Sequence, residues 1–293
     1  MEKAKIQHYV PRFYLKNFAI QRKGEYLLNC FDKTNSRKFQ VNIRNIGCEK
    51  FFYETLKDKQ VIEKALSTLE NDFTKVCNKL VTSRSLLSLK WNERKALASF
   101  VAIQDLRTKE FREDLRSISK ELKRALEKRP LSEDLKEQLA EADTEESLRS
   151  IHSTALVETL LGKNDLIEMV LGMKWVLFEN VTRIPLWTSD HPVNKFNPID
   201  LRPFGNLGYM SRGIQVFFPL NSSLGIVFCD PVEYFYNADR VTCIKDNVIF
   251  CNTLQVRSST RHVFSSSNDF NLAEKWLKEY PTFRDPKRMR IET

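Results

Sequence analysis

Gly213-Ile214-Gln215-Val216-Phe217-Phe218-Pro219-Leu220-Asn221-Ser222-Ser223-Leu224-Gly225-Ile226-Val227-Phe228 is the stretch on which the fold turns. Two runs rich in β-branched and aromatic residues flank a Pro/Asn/Ser turn, so the segment predicts an antiparallel pair, 213–218 with 224–228. Upstream, 174–179 and 186–188 are short apolar runs that predict further strands. Downstream, 241–256 predicts a helix, 262–264 a strand and 272–277 a last helix. At the other end of the chain, 26–31 predicts a strand that pairs with 38–43 across a turn at 32–37. Gly47 then leads into the aromatic cluster Phe51-Phe52-Tyr53, expected to enter the core.

Between these strand-rich ends the apolar residues recur at helical spacing. Ile62, Leu66, Leu69, Phe73, Val76, Cys77 and Leu80 form one stripe. Leu97, Val101, Phe111, Leu115 and Leu122 suggest a single long helix over about 91–128, with Asn92 as its N-cap and Pro130 as its stop. A charged surface helix over 131–142 follows, then one over about 145–171 that ends at Gly172. Strands at both ends around helices imply an α+β fold. The expected architecture is a mixed, mostly antiparallel sheet, built from N- and C-terminal segments and packed on a central helical block. The expected domain is single and discontinuous, 1–280, with its helical insertion at about 60–171 and a loose basic tail at 281–293.

Composition narrows the class. Of 293 residues, 42% are hydrophobic and 29% charged, and twenty Phe stand against eight Gly, so the chain can bury a sizeable core. No apolar run approaches the ~20 residues that span a bilayer, and Met1–Phe13 lacks the apolar stretch of a secretory signal. The six cysteines form no C-x-x-C pair and lie in apolar settings, as free thiols in a reducing compartment do. The expectation is therefore a cytoplasmic protein with no membrane partner. A net charge of +9 favours nucleic acid, nucleotide phosphates or an acidic partner, and equally suits a well-solvated surface. Walker, dinucleotide-binding, H-E-x-x-H, EF-hand and nucleophile-elbow motifs do not occur.

Candidate site residues come from polar positions inside apolar segments. His8 lies among aromatics beside Pro11, in an N-terminal stretch too apolar to be left in water. Glu63 and Glu70, seven residues apart, share the flank of a helical stripe, where two carboxylates can hold a cation or act as acid and base. They also suit ordinary flank positions. Gln104 sits near the centre of an apolar stripe and must find a polar partner, with Arg107 nearby on the same side. The two could recognise a carboxylate or phosphate, or clamp the N-terminal segment. Thr188-Ser189-Asp190-His191-Pro192-Val193 crowds Ser, Asp and His at a strand end, as a functional loop or a strand cap.

The segment His8-Tyr9-Val10-Pro11-Arg12-Phe13-Tyr14-Leu15-Lys16-Asn17-Phe18 resembles the opening motif of the family known as domain of unknown function DUF4238. Phe52-Tyr53, the Glu63/Glu70 helix, Ala102–Thr108 and Trp187–Val193 resemble that family in the same order. Phe218–Ser222 is similar to its Pro-Leu-Ser-Pro stretch. The family usually carries Asn at the position of His191, so the resemblance assigns no role to His191 itself. It covers nearly the whole chain and implies that His8, Glu63 or Glu70, Gln104, Arg107 and Asp190 meet in one pocket. The expected function is a hydrolase acting on a phosphodiester, with a nuclease as the specific case. In that reading His8, Glu63, Glu70 and Asp190 are catalytic, through a divalent ion such as Mg2+ or Mn2+ or through general acid–base chemistry. Gln104 and Arg107 bind the substrate. The competing class is a non-catalytic nucleic-acid or protein binding module with a buried structural polar network.

Overall fold

The computed structural model describes residues 6–50, 52, 59–127, 129–130, 132–200, 206–235 and 238–290; Phe51 and Tyr53 of the expected aromatic cluster lie outside them. Their strands form two five-stranded sheets and a small two-stranded one, in an α+β fold of mostly antiparallel pairing. The small sheet pairs β1 (Ile6–His8) with β5 (Cys48–Lys50). One large sheet joins N- and C-terminal segments. In it β3 (Glu25–Asp32) pairs with β2 (Ile20–Arg22), with β4 (Arg37–Asn42) and with β12 (His262–Ser265), which also pairs with β7 (Thr188–Ser189). The other large sheet runs β11-β6-β10-β9-β8 and uses only residues after the helical block. Its strands are β6 (Lys174–Asn180), β8 (Asn194–Phe196), β9 (Gln215–Pro219), β10 (Leu224–Cys229) and β11 (Arg240–Cys243). The stretch quoted first is its centre: β9 and β10 pair antiparallel with Ile226 opposite Phe218. Gly225 lets the Phe178 ring lie flat on the strand, since a Cβ there would sit 2.1 Å from the ring.

The helical block lies between the N-terminal and C-terminal strands in sequence, and it breaks where one continuous stripe was expected. α2 (Lys59–Ser83) carries the stripe of Leu66, Phe73, Val76 and Leu80 into the core. The expected helix at 91–128 is two, α3 (Trp91–Leu106) and α4 (Lys109–Glu127). The break falls at Arg107 and Thr108, whose side chains turn to partners outside the helix. α3 starts at Lys90 rather than at Asn92, and the Glu93 carboxylate accepts from the Lys90 N–H at 2.7 Å. The expected helix at 145–171 is also two, α6 (Glu145–Leu160) and α7 (Leu166–Gly172). Gly162, at φ 64°, ends the first in a left-handed turn, and the Asn164 side chain accepts from Leu166 N–H at the start of the second. Between α4 and α6, α5 (Glu133–Glu141) buries none of its residues. The expected helix at 241–256 begins instead as strand β11, parallel to β6, and only then becomes α8 (Lys245–Ser258). Pairing with β6 overrides the local helical spacing there.

The core explains why the N-terminus is docked. Pro11 fixes an extended backbone and starts α1 (Arg12–Lys16), which buries Tyr14 and Leu15 completely. Tyr14 stacks on Phe218 at 5.2 Å, and its hydroxyl donates to Pro219 O and meets Thr188 Oγ1, both at 2.9 Å. Phe73 and Phe100 stack beside them at 3.8 Å. Burying such rings contributes roughly 2–3 kcal/mol each.

The C-terminal segment is not loose where it is described. After α9 (Asn271–Glu279) a single tight turn over 281–284 leads to Arg288 and Arg290, which both reach the buried Glu110 carboxylate at 2.7–2.9 Å. Next to them Lys33, fully buried, donates to Val256 O and Ser259 O at the end of α8, where carbonyls lack helical partners. All six cysteines are free.

Candidate functional site

β1 runs straight into Pro11 and α1, and this corner is held from behind by α3. Gln104 Nε2 donates to Tyr9 O at 3.0 Å, and Arg107 Nη2 donates to His8 O at 2.7 Å. Two successive carbonyls of the N-terminal segment are thus gripped by one helix end. Arg107 Nη1 also pairs with Glu70 Oε1 at 2.8 Å, with Arg107 buried and Glu70 partly open. On the open side of this corner lies a cavity of about 630 Å³. His8, Arg12, Lys16, Arg44 and Arg107 line it, with the carboxylates Glu25 and Glu70. Phe13, Tyr26, Ile43 and Leu66 supply its apolar wall. Four cations face two carboxylates, and since Arg107 and Glu70 neutralise each other, Arg12, Lys16 and Arg44 stand against Glu25 alone.

His8 brings an imidazole to the lining of this cavity. Its Nε2 is buried and has no hydrogen-bond partner among the described residues. Burial and the nearby Arg12, with Arg107 adding to them, lower its pKa below the ordinary 6.5, against an opposing pull from the backbone at Arg44 and Ile43. The ring is therefore neutral at pH 7, with one nitrogen able to take a proton or a hydrogen bond.

The other expected site residues go elsewhere. Asp190 does not line the cavity. Its Oδ1 accepts from Thr260 N–H at 2.9 Å, and its Oδ2 accepts from Arg261 and His262 N–H at 2.8 Å each. This buried carboxylate caps the start of β12, which is the strand-end reading rather than the catalytic one. Its charge is still felt at Tyr9, whose phenol is pushed well up, first by burial and then by Asp190. Gln104 is fully buried and faces the Tyr9 carbonyl, so it supports the cavity wall without lining it. Glu63 lies in α2, and its side chain falls outside the described residues. Among the described residues no three of His, Cys, Asp and Glu converge as metal ligands.

Sequence reasoning missed two buried polar clusters and most of the cavity's cations. In the first cluster His191 Nδ1 meets Thr108 Oγ1 at 2.7 Å, and Asp105 reaches Lys195, the Tyr209 hydroxyl (3.0 Å) and His191 Nε2 (3.7 Å). The second is the Glu110 clamp, where burial pushes the carboxyl up but Arg288 and Arg290 hold it down to about 2. Asp105 directly follows Gln104, which was the available signal; Arg290 stood out only as part of the basic tail, and Tyr209 carried no signal. Thr108 is fully buried and shut from solvent. The cavity's own Arg12 and Lys16 stood in the opening motif, but only the tertiary structure shows that they and Arg44 face His8.

No helix among the described residues is long and apolar enough to cross a membrane. Neither curated proteins nor solved structures include a match to the chain. A family profile described as "Protein of unknown function (DUF4238)" matches residues 6–269, from the strand that carries His8 to just before α9. The contacts that seat Tyr9, Tyr14, Gln104 and Thr188 all lie within that span, and the chain belongs to the DUF4238 family.

Proposed function

We propose that the cavity beside His8 binds a phosphate-bearing ligand, a nucleotide or the phosphodiester of a nucleic acid. One observation carries this: Arg12, Lys16 and Arg44, with Glu25 as the one carboxylate not paired to Arg107, line a cavity of ligand size together with the His8 imidazole. The decisive experiment is equilibrium binding of inorganic phosphate, AMP and a short single-stranded oligonucleotide at two salt concentrations. Arg12→Ala/Arg44→Ala should weaken binding about tenfold or more, with an unchanged melting curve. Absence of binding by the unaltered protein would end the proposal.

A second reading, phosphodiester hydrolysis, is favoured by the neutral state of His8. The His8 imidazole, which lines the cavity, takes a proton from water as the water oxygen attacks phosphorus. The bond from phosphorus to the leaving oxygen breaks, and that oxygen takes a proton from solvent. Arg12 and Arg44 face the phosphoryl charge that grows in the transition state. A Mg2+ or Mn2+ ion would be held through the ligand's phosphates and by Glu25 and Glu70, and when bound it would withdraw charge from the phosphoryl oxygens. Asp190 takes no part. A panel of RNA, single-stranded DNA, duplex DNA and nucleotides, each with Mg2+, Mn2+ or chelator, tests this. His8→Ala should abolish turnover and leave the melting curve in place. Binding without turnover would make the protein a recognition module.

A further inference from the structure

We infer that the ligand of this cavity is a nucleoside phosphate or a single-stranded end whose base stacks on Tyr26, with Lys16 as the group that leaves the ring when phosphate enters. The inference rests on the phosphate reading of the cavity and adds the part of the ligand beyond the phosphate.

Tyr26 stands at the start of β3 on the cavity wall and is only partly buried. Among the described residues it stacks on no other ring. Phe13, the other aromatic of the wall, is committed to the core, 5.8 Å from Phe73 and 5.7 Å from Phe100. Tyr26 also packs against the core, but the ring face under Lys16 meets no other ring among the described residues, and that face is the one a ligand can reach. At present the Lys16 ammonium lies over it, 4.5 Å from the ring centre. Lys16 itself is exposed, on a long flexible stem, and it lines the same cavity. An exposed ammonium–ring contact is weak, and a phosphate offers that ammonium a full opposite charge. Phosphate entry therefore draws Lys16 off and uncovers the ring for a base. Stacking tolerates any base, since each has a π face.

The shape of the site points the same way. A cavity of about 630 Å³ is the size that encloses one small ligand. A duplex presents phosphates along its whole length and is met by an extended basic stripe. Here the converging cations sit in one corner with an aromatic beside them, which suits one nucleotide and its phosphate.

The test compares AMP, ribose 5-phosphate and inorganic phosphate by calorimetry on the full chain. AMP should bind about tenfold or more tighter than ribose 5-phosphate, the sugar and phosphate being common to both. Tyr26→Phe should keep that ratio, whereas Tyr26→Leu, which retains apolar bulk without a π face, should bring it near one. Lys16→Ala should weaken inorganic phosphate. Equal affinities for AMP and ribose 5-phosphate in the unaltered protein would overturn the stacking inference and leave the phosphate reading standing. A ratio unmoved in Tyr26→Leu would also overturn it. Failure of all three compounds to bind would remove both.

Discussion

Asp190 shows how a residue that looks catalytic by type and position can be structural. A carboxylate that accepts three backbone N–H bonds is a strand cap, and its charge is already spent on those donors. Asp190→Asn puts an amide group where a carboxylate oxygen accepts two of the donors, and it should destabilise the protein by roughly 2–3 kcal/mol. Urea denaturation reads that loss. Phosphate affinity, measured on the same variant below its melting temperature, should be unchanged; a loss of affinity with unchanged stability would return Asp190 to the site. Gln104 was legible as a buried amide with a partner, because the stripe around it is apolar. A clamp on the N-terminal segment was one of the two readings the sequence left open; which group it holds there, the Tyr9 carbonyl 95 residues away, was not legible, because no local pattern records a contact of that separation. The same holds for Thr108 and His191, which are 83 residues apart.

At the scale of elements, the contrast lies between β9–β10 and the C-terminal segment. The hairpin's pairing follows from its own turn and its own residues, so it was readable. The stretch 281–290 is basic and polar and lacks an apolar stripe, so it reads as loose. What orders it is Glu110, on a helix 178 residues away from Arg288. Two guanidinium groups on one buried carboxylate satisfy an anion that would otherwise be left unpaired in the core. Removing residues 285–293, or making Arg288→Ala/Arg290→Ala, should cost about 3–5 kcal/mol of stability. The denaturant midpoint would fall accordingly, and Glu110→Gln combined with the double arginine variant should recover part of the loss. A midpoint unmoved by the truncation would show that the clamp does not contribute. The break at Arg107–Thr108 has the same origin as the misread tail; the break at Gly162–Asn164 does not. Arg107 and Thr108 face partners beyond the helix, while Gly162 and Asn164 are local stop and start signals that periodicity passes over.

For the whole molecule, the chain's four histidines, His8, His152, His191 and His262, share one property: burial lowers the pKa of each. His152 is lowered to about 4, by burial and then by Arg112, against its bond to Leu106 O. The unfolded chain takes up protons near 6.5, before the folded one does. Stability is therefore fully present above pH 6.5 and is lost as the pH falls through 4. His152 alone accounts for about 3 kcal/mol of that loss by pH 4. Chemical denaturation at pH 7.5, 6, 5 and 4 should show this decline, and His152→Gln should flatten it. A stability unchanged between pH 7.5 and 4 would mean that the four rings are not held neutral by the fold.

By itself the sequence determined that the chain is α+β, that strand-rich ends enclose a helical block, that the aromatic N-terminus must be docked, and that the whole belongs to one family. Those features follow from local alternation, helical spacing and composition, and each is encoded in neighbouring residues. Only the tertiary structure decided which polar residues share a cavity. It separated Asp190 from His8, turned Gln104 and Arg107 into supports of the N-terminal corner, and gathered His8, Arg12, Lys16, Tyr26 and Arg44 around one cavity. Charge and hydrogen-bond partnership across a hundred residues depend on how layers pack, and packing leaves no periodicity in the chain to be read.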